Sequence, residues 1–235
     1  MINEEYIKQL GFNDYQKKRT LLMYDIACEI SKEDKNSLIL KGGTSLLFCY
    51  NLNRFSTDLD YDGMTYNFNL DKIFKNCFLK NNLHWDGNIK PKKHTQTVIR
   101  YMLHYKESED DPLKIEISFR NMDYIENGYN YFEIKNGIKT YPIPILARSK
   151  IDTFLDRMKA RDIFDAAFLL KTYPGAIDDE RIIKCNEKIK SLGLDYFEKE
   201  LKNEPVLSKF DHEDILLNFE NAIKSRVINI DKKKQ

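Results

Sequence analysis

Glycine and proline are scarce in this chain, at 9 and 6 of 235 residues. Collagen-like and low-complexity architectures are thereby excluded. Long apolar runs are missing as well. The longest candidate, Leu38 to Tyr50, is broken by Lys41, and nothing approaches the roughly 20 apolar residues of a bilayer span. No membrane association is expected. The first residues, Met1-Ile2-Asn3-Glu4-Glu5, are acidic and carry no hydrophobic stretch, so no signal peptide is expected. Neither sign of charge dominates: 38 Lys and Arg face 37 Asp and Glu. A bulk attraction to nucleic acid or lipid is not indicated, although balance says nothing about local patches. The four cysteines, Cys28, Cys49, Cys77 and Cys185, are scattered and form no C-x-x-C pair. They read as reduced core residues of a cytoplasmic protein. His84, His94, His104 and His212 show no ligand spacing, so a zinc site is not expected.

What is present is a chain that is 42% hydrophobic and 32% charged, long enough to bury a core without staples. Helical periodicity runs from Asp14 to Ile30. Ser37 to Lys41 is a short buried-strand candidate closed by Gly42-Gly43, after which Thr44 is placed to cap a helix through Tyr50. Thr57 to Tyr61 alternates as a strand, and Leu70 to Leu79 reads as helix. Thr95 to Tyr105 and Leu113 to Phe119 are β-rich. Tyr131 to Ile134 and Ile138 to Tyr141 make a hairpin around Asn136-Gly137. After Pro142 and Pro144 the strand signals vanish. Helices are expected over Ile145–Met158, Ile163–Leu170, Ile182–Ile189, Tyr196–Leu201 and Ile215–Ile228, with Asp231 to Gln235 as a frayed tail. The expected architecture is α+β over residues 1–144, followed by a helical bundle over residues 145–235.

The most informative segment is Arg54-Phe-Ser-Thr-Asp58-Leu-Asp60-Tyr. On a strand, Ser56, Asp58 and Asp60 share one face, with the two carboxylates about 6–7 Å apart. Ionised together they repel, and a divalent cation between them removes that penalty. An ordinary solvated face is the bland alternative. Lys41-Gly42-Gly43-Thr44-Ser45 is a strand end opening into a helix, where backbone N–H groups can approach a phosphate. It matches neither the P-loop nor the dinucleotide fingerprint, and on its own it is a tight turn. Lys114-Ile-Glu116-Ile-Ser118 sets Glu116 on a polar face. If that strand lies beside Asp58 and Asp60, a third carboxylate completes an all-oxygen site suited to Mg²⁺ or Mn²⁺. Asp162 and Asp165 lie three apart on a helix, where an N-cap and an ion pair with Arg161 are the ordinary alternatives.

Together these motifs resemble the polymerase β-like nucleotidyltransferases. More closely, Lys41-Gly-Gly-Thr-Ser-Leu46 followed by Arg54-Phe-Ser-x-Asp58-Leu-Asp60 resembles the AbiEii/AbiGii toxin family of bacterial abortive-infection and type IV toxin–antitoxin systems. Ser149-Lys150 and Arg161-Asp162-Ile-Phe-Asp165 carry the resemblance into the helical half. It implies a polymerase β-like domain, a mixed sheet flanked by helices, followed by a helical bundle. It implies an enzyme that moves a nucleoside monophosphate from an NTP to an acceptor, expected to be RNA at a tRNA 3′ end. Asp58, Asp60 and Glu116 would hold the metal. Lys41, Gly42, Gly43, Thr44, Ser45, Ser56, Lys150 and Asp165 would bind the nucleotide, with Lys150 and Asp162 counted in the catalytic set and the nucleotide in the cleft between the halves. A separately encoded antitoxin is a further implied partner. Lys90, Lys92, Lys93 and Arg100 form a candidate basic cluster for RNA. A small-molecule or protein acceptor, or a non-catalytic interaction role on the same scaffold, are the alternatives.

Overall fold

The computed structural model describes residues 4–33, 38–66, 69–84, 91–108, 111–122 and 132–234. These form two compact units, Met1–Pro142 and Ile143–Gln235. The expected strand residues Ser37 and Tyr131, and Lys90 of the basic cluster, lie outside the described residues.

Among the described residues, the first unit holds a seven-stranded mixed sheet in the order β3-β4-β5-β2-β1-β7-β6. The strands are β1 (Leu38–Lys41), β2 (Leu59–Gly63), β3 (Lys93–His94), β4 (Val98–Leu103), β5 (Leu113–Ser118), β6 (Glu133–Lys135) and β7 (Ile138–Thr140). The central pair β1–β2 is antiparallel, while β2–β5 and β1–β7 run parallel. Alternation assigns the two faces. Leu38 and Leu40, Leu59 and Tyr61, Ile115 and Ile117, and Ile99 and Tyr101 are all buried on one of them. After the short α1 (Glu4–Gln9), the chain lays α2 (Asp14–Glu33) and α4 (Asp71–Lys80) on this face, for example through an edge-on contact of Phe74 with Tyr101. Each such fully buried large apolar side chain contributes about 1.5–3 kcal/mol. The opposite face carries Lys41, Asp60, Asp62, Lys114, Glu116 and Arg100.

The hairpin forms where Asn136-Gly137 predicts it. Both residues take positive φ, 53° and 81°, the pairing a two-residue turn between twisted strands favours. Two local expectations need correction. The helix after β1, α3 (Gly42–Tyr50), begins at Gly42 itself, so Lys41 is the capping position and Thr44 is not. β2 starts two residues later than the alternation suggests, at Leu59, which leaves Thr57 and Asp58 just outside the ladder.

The second unit contains α5 (Ile143–Arg157), α6 (Ala160–Thr172), α7 (Asp179–Leu192), α8 (Leu194–Lys202) and α9 (His212–Lys234). Pro144 sits in the first turn of α5, where its missing N–H costs nothing. Asp178 caps α7 by accepting from the Arg181 N–H at 3.0 Å. Gly193, at φ 77°, turns the chain between α7 and α8. The core gathers Phe154, Phe197 and Phe219, with Phe154 and Phe219 edge-to-face at 5.5 Å. The expected frayed tail is instead helical, since α9 continues to Lys234. Cationic residues at a helix C-terminus complement its dipole. No helix among the described residues is long and apolar enough to cross a membrane.

Candidate active site

The polar face of the sheet is built by register. In the parallel β2–β5 pair, Asp60 lies opposite Glu116 and Leu59 opposite Ile115. One row earlier, Asp58 comes beside Lys114. The Lys114 ammonium is 2.9 Å from an Asp58 oxygen and 3.7 Å from an Asp60 oxygen. Two neighbouring carboxylates therefore already share one cation. Glu116 turns the other way. Its Oε2 accepts from Arg100 Nε at 2.8 Å and lies 2.6 Å from Arg100 Nη2, the cross-strand partner on β4. Asp58, Asp60 and Glu116 thus occupy one face but do not close around a single point. Among the described residues no group of three His, Cys, Asp or Glu side chains does so.

Crowding shows in protonation. Burial pushes the Asp60 carboxyl above the ordinary carboxylate range, Lys114 opposes this, and the charges of Asp58 and Glu116 add to it. Burial works against the charge of Lys114, but Asp60 and Asp58 outweigh it and raise its pKa.

The glycine pair abuts the acids. Gly42 has φ +79°, and a Cβ there would fall 3.3 Å from Asp60 Oδ2. At Gly43 a Cβ would fall 2.8 Å from Arg54 Nη2 and 3.2 Å from Ser56 Oγ. The start of α3 therefore touches the acidic strand because both positions lack side chains.

Thr44 and Ser45 do not offer hydroxyls to a ligand. Both are buried. Thr44 Oγ1 donates to Ser56 Oγ at 2.7 Å and lies against the Asp58 carbonyl, while Ser45 Oγ pairs with Thr140 Oγ1. With α3 starting at Gly42, both residues face inward, and Thr44 fixes the backbone at Asp58. Ser56 belongs to the same internal network. Lys41 places its ammonium 2.5 Å from Asp62, a buried carboxylate that also accepts from Asn121 and Tyr141.

In the helical unit, Asp162 is not an N-cap. It is the third residue of α6 and takes Arg157 Nε and Nη2 at 2.7 and 2.8 Å. Asp165 is fully buried, with the Lys150 ammonium at 2.7 Å. The Arg161 guanidinium reaches Glu204 at 3.0 Å. Arg100 of the basic cluster is committed to Glu116, whereas Lys92 and Lys93 are exposed.

Asp62, Lys114, Arg54 and Arg19 shape the site, although motif reading gives none of them a role there. Asp62 continues the every-second-residue series of Asp58 and Asp60, and Lys114 stands two before Glu116. Alternation carried further along each strand marks both.

The sheet order and the glycine-to-helix start beside an acidic strand define a class, the nucleotidyltransferases. JHP933 from Helicobacter pylori has the same fold over most of its length, with a TM-score of 0.79, 26% identity, and 95% of this chain and 96% of that one covered. MenT4, a nucleotidyltransferase toxin from Mycobacterium tuberculosis H37Rv, shares the fold more distantly, with a TM-score of 0.50, 12% identity, and 97% and 90% covered. No curated protein sequence matches the chain. The chain belongs to the AbiEii nucleotidyl transferase toxin family of type IV toxin–antitoxin systems, whose model matches residues 27–227. The resemblance carried by the sequence motifs is thereby borne out.

Proposed function

We propose that this nucleotidyltransferase moves a nucleoside monophosphate from an NTP to the 3′ end of an RNA, with tRNA as the expected acceptor. Its activity as a toxin would be countered by a separately encoded antitoxin. The observation that carries the reading is the Asp58–Asp60 pair sharing one cation, with Gly42 packed against Asp60.

The donor set is all oxygen, and an ammonium already stands in for a cation between the two carboxylates, so the pair fits Mg²⁺ or Mn²⁺. Bound there, such an ion would neutralise charge on the phosphates of the NTP. The Gly42-Gly43 opening of α3 presents backbone N–H groups to the triphosphate. Thr44 and Ser56 hold the backbone from which Asp58 projects. Glu116 lies on the same face, engaged by Arg100, and would have to turn from that guanidinium to help hold a metal or to orient the acceptor hydroxyl. That hydroxyl displaces pyrophosphate from the α-phosphorus. Lys93 supports an RNA acceptor: it is exposed, and its pairing with Arg100 sets it on the same sheet face as Glu116.

The test is incubation with tRNA, Mg²⁺ and each α-³²P-labelled NTP in turn, beside Asp58→Asn. Label appearing in tRNA with the wild type and vanishing with Asp58→Asn is the expected result. Label in a protein or small-molecule fraction would replace the acceptor. Undiminished transfer by Asp58→Asn would overturn the assignment of the acidic pair.

A further inference from the structure

The Lys114 ammonium is the feature of this face that metal-dependent transfer alone does not explain. A cation within 4 Å of both Asp58 and Asp60 competes with any metal for the same oxygens. The surroundings are arranged so that the lysine, not the acids, can give way. Asp58 is anchored through its backbone, since Thr44 Oγ1 lies against its carbonyl. The preceding residue is anchored too, because the buried Arg19 donates to the Thr57 carbonyl from Nε and Nη2. Gly42 backs Asp60 from the other side. Lys114 is fixed at its root, in the β4–β5 ladder opposite Met102, and beyond that by the two carboxylates themselves. Its four-carbon stem is flexible and its side chain partly exposed.

We propose that Lys114 is a built-in stand-in for the divalent cation: its ammonium bridges Asp58 and Asp60 in the metal-free protein and leaves when the metal arrives. The exchange keeps two neighbouring carboxylates from facing each other uncompensated. The released ammonium stays on the same face, within reach of the triphosphate, so the chain supplies a phosphate-binding cation only once the metal has bound. Lys114 is thus a positioning residue before metal binding and a nucleotide contact after it. The inference rests on reading Asp58 and Asp60 as the cation-holding pair.

Two measurements test it without recourse to turnover. The first is Mn²⁺ binding, read by electron paramagnetic resonance of the free ion, for wild type, Lys114→Met and Asp58→Asn. Lys114→Met should bind Mn²⁺ about tenfold more tightly than wild type, the order expected when one competing charge beside a carboxylate pair is removed. Asp58→Asn should bind far more weakly. If wild type binds and Asp58→Asn does not, but Lys114→Met binds no more tightly, the exchange is overturned while the metal reading stands. If Asp58→Asn binds like wild type, or no form binds, the metal reading falls and the exchange with it.

The second measurement needs no variant at residue 114. Acylation of the Lys114 amine of the wild type by sulfosuccinimidyl acetate, followed by peptide mass spectrometry, should speed up severalfold when MgCl₂ is added without nucleotide. An unchanged rate overturns the exchange even where Lys114→Met fails to fold.

Discussion

Arg19 donates to the carbonyl of Thr57 from two guanidinium nitrogens, Nε at 3.3 Å and Nη2 at 3.0 Å. The same side chain reaches the Asp111 carbonyl at 2.6 Å and the Pro112 carbonyl at 3.0 Å. One buried cation on α2 therefore ties the entrance of β2, just before Asp58, to the entrance of β5, just before Lys114. Two segments more than fifty residues apart in sequence are held at the spacing that lets Lys114 meet Asp58.

Replacing Arg19 by Met should strip these carbonyls of their donor and cost about 3 kcal/mol, since buried acceptors left unpaired carry most of their desolvation penalty. Arg19→Lys should fall between, because a lysine cannot span the same carbonyls at once. Urea unfolding followed by circular dichroism reads both. A loss under about 0.5 kcal/mol in Arg19→Met would mean that the clamp is not structural.

The glycines at the start of α3 make a second, separable prediction. Ala at position 42 meets a positive φ and an Asp60 oxygen at 3.3 Å. The conformation costs about 1–2 kcal/mol for a residue with a Cβ. The contact also pushes Asp60 off its place, so Gly42→Ala should lower both the melting temperature and Mn²⁺ affinity. Ala at position 43 meets Arg54 Nη2 at 2.8 Å, inside a buried region. It should destabilise by about 1–3 kcal/mol through overpacking, with little direct effect on the metal. Differential scanning calorimetry beside a Mn²⁺ titration separates the two. Equal Mn²⁺ affinity in Gly42→Ala and wild type would argue against contact between the glycine and the acidic pair.

Much of this was legible along single strands. Alternation in Leu59 to Tyr61 and in Leu113 to Ile117 fixes which side chains enter the core, because a period of two admits only one buried face. Asn136-Gly137 specifies its own turn, and the Gly-Gly and D-x-D motifs pointed to the enzyme class. What alternation cannot supply is register between strands distant in sequence. Whether Lys114 or Glu116 faces Asp58 is a shift of one row, and nothing local to either strand decides it. Nor could it show that Arg100 claims Glu116, or that Thr44 turns inward. That last point depends on the helix starting at Gly42, three residues earlier than a cap at Thr44 would place it. In the helical unit, Asp162 is taken by Arg157 across the turn between α5 and α6, and Arg161 by Glu204 from the loop after α8, partners that one helix's periodicity does not encode.

The cysteines give a prediction about reactivity. All four are free, and Cys49, Cys77 and Cys185 are buried. Burial pushes each of these three thiols up to about 12. At pH 8 they are neutral and unreactive, since the thiolate is the nucleophile. Cys28 is only half-buried, and its pKa is raised less far, again chiefly by burial. Titration of the native protein with Ellman's reagent at pH 8 should show slow reaction at Cys28 first and the rest only in denaturant. Rapid modification of Cys49, Cys77 or Cys185 in the native state would contradict the packing described.

Lys150 and Asp165 make the sharpest case for measuring stability beside activity. The resemblance gives Lys150 a role at the nucleotide, yet its ammonium lies 2.7 Å from a carboxylate with no exposed surface. Removing one partner of such a pair leaves a buried charge less compensated, at a cost of about 3–5 kcal/mol. Lys150→Met should therefore unfold the helical unit more readily. Lys150→Met combined with Asp165→Asn should recover a substantial part of the loss, because the residual charge is gone with its partner. A role confined to phosphate binding predicts the opposite pattern: Lys150→Met as stable as wild type, NTP affinity lowered, and no rescue by the second substitution. Thermal unfolding of the single and double variants distinguishes the two, and it must precede any reading of lost transfer as lost catalysis.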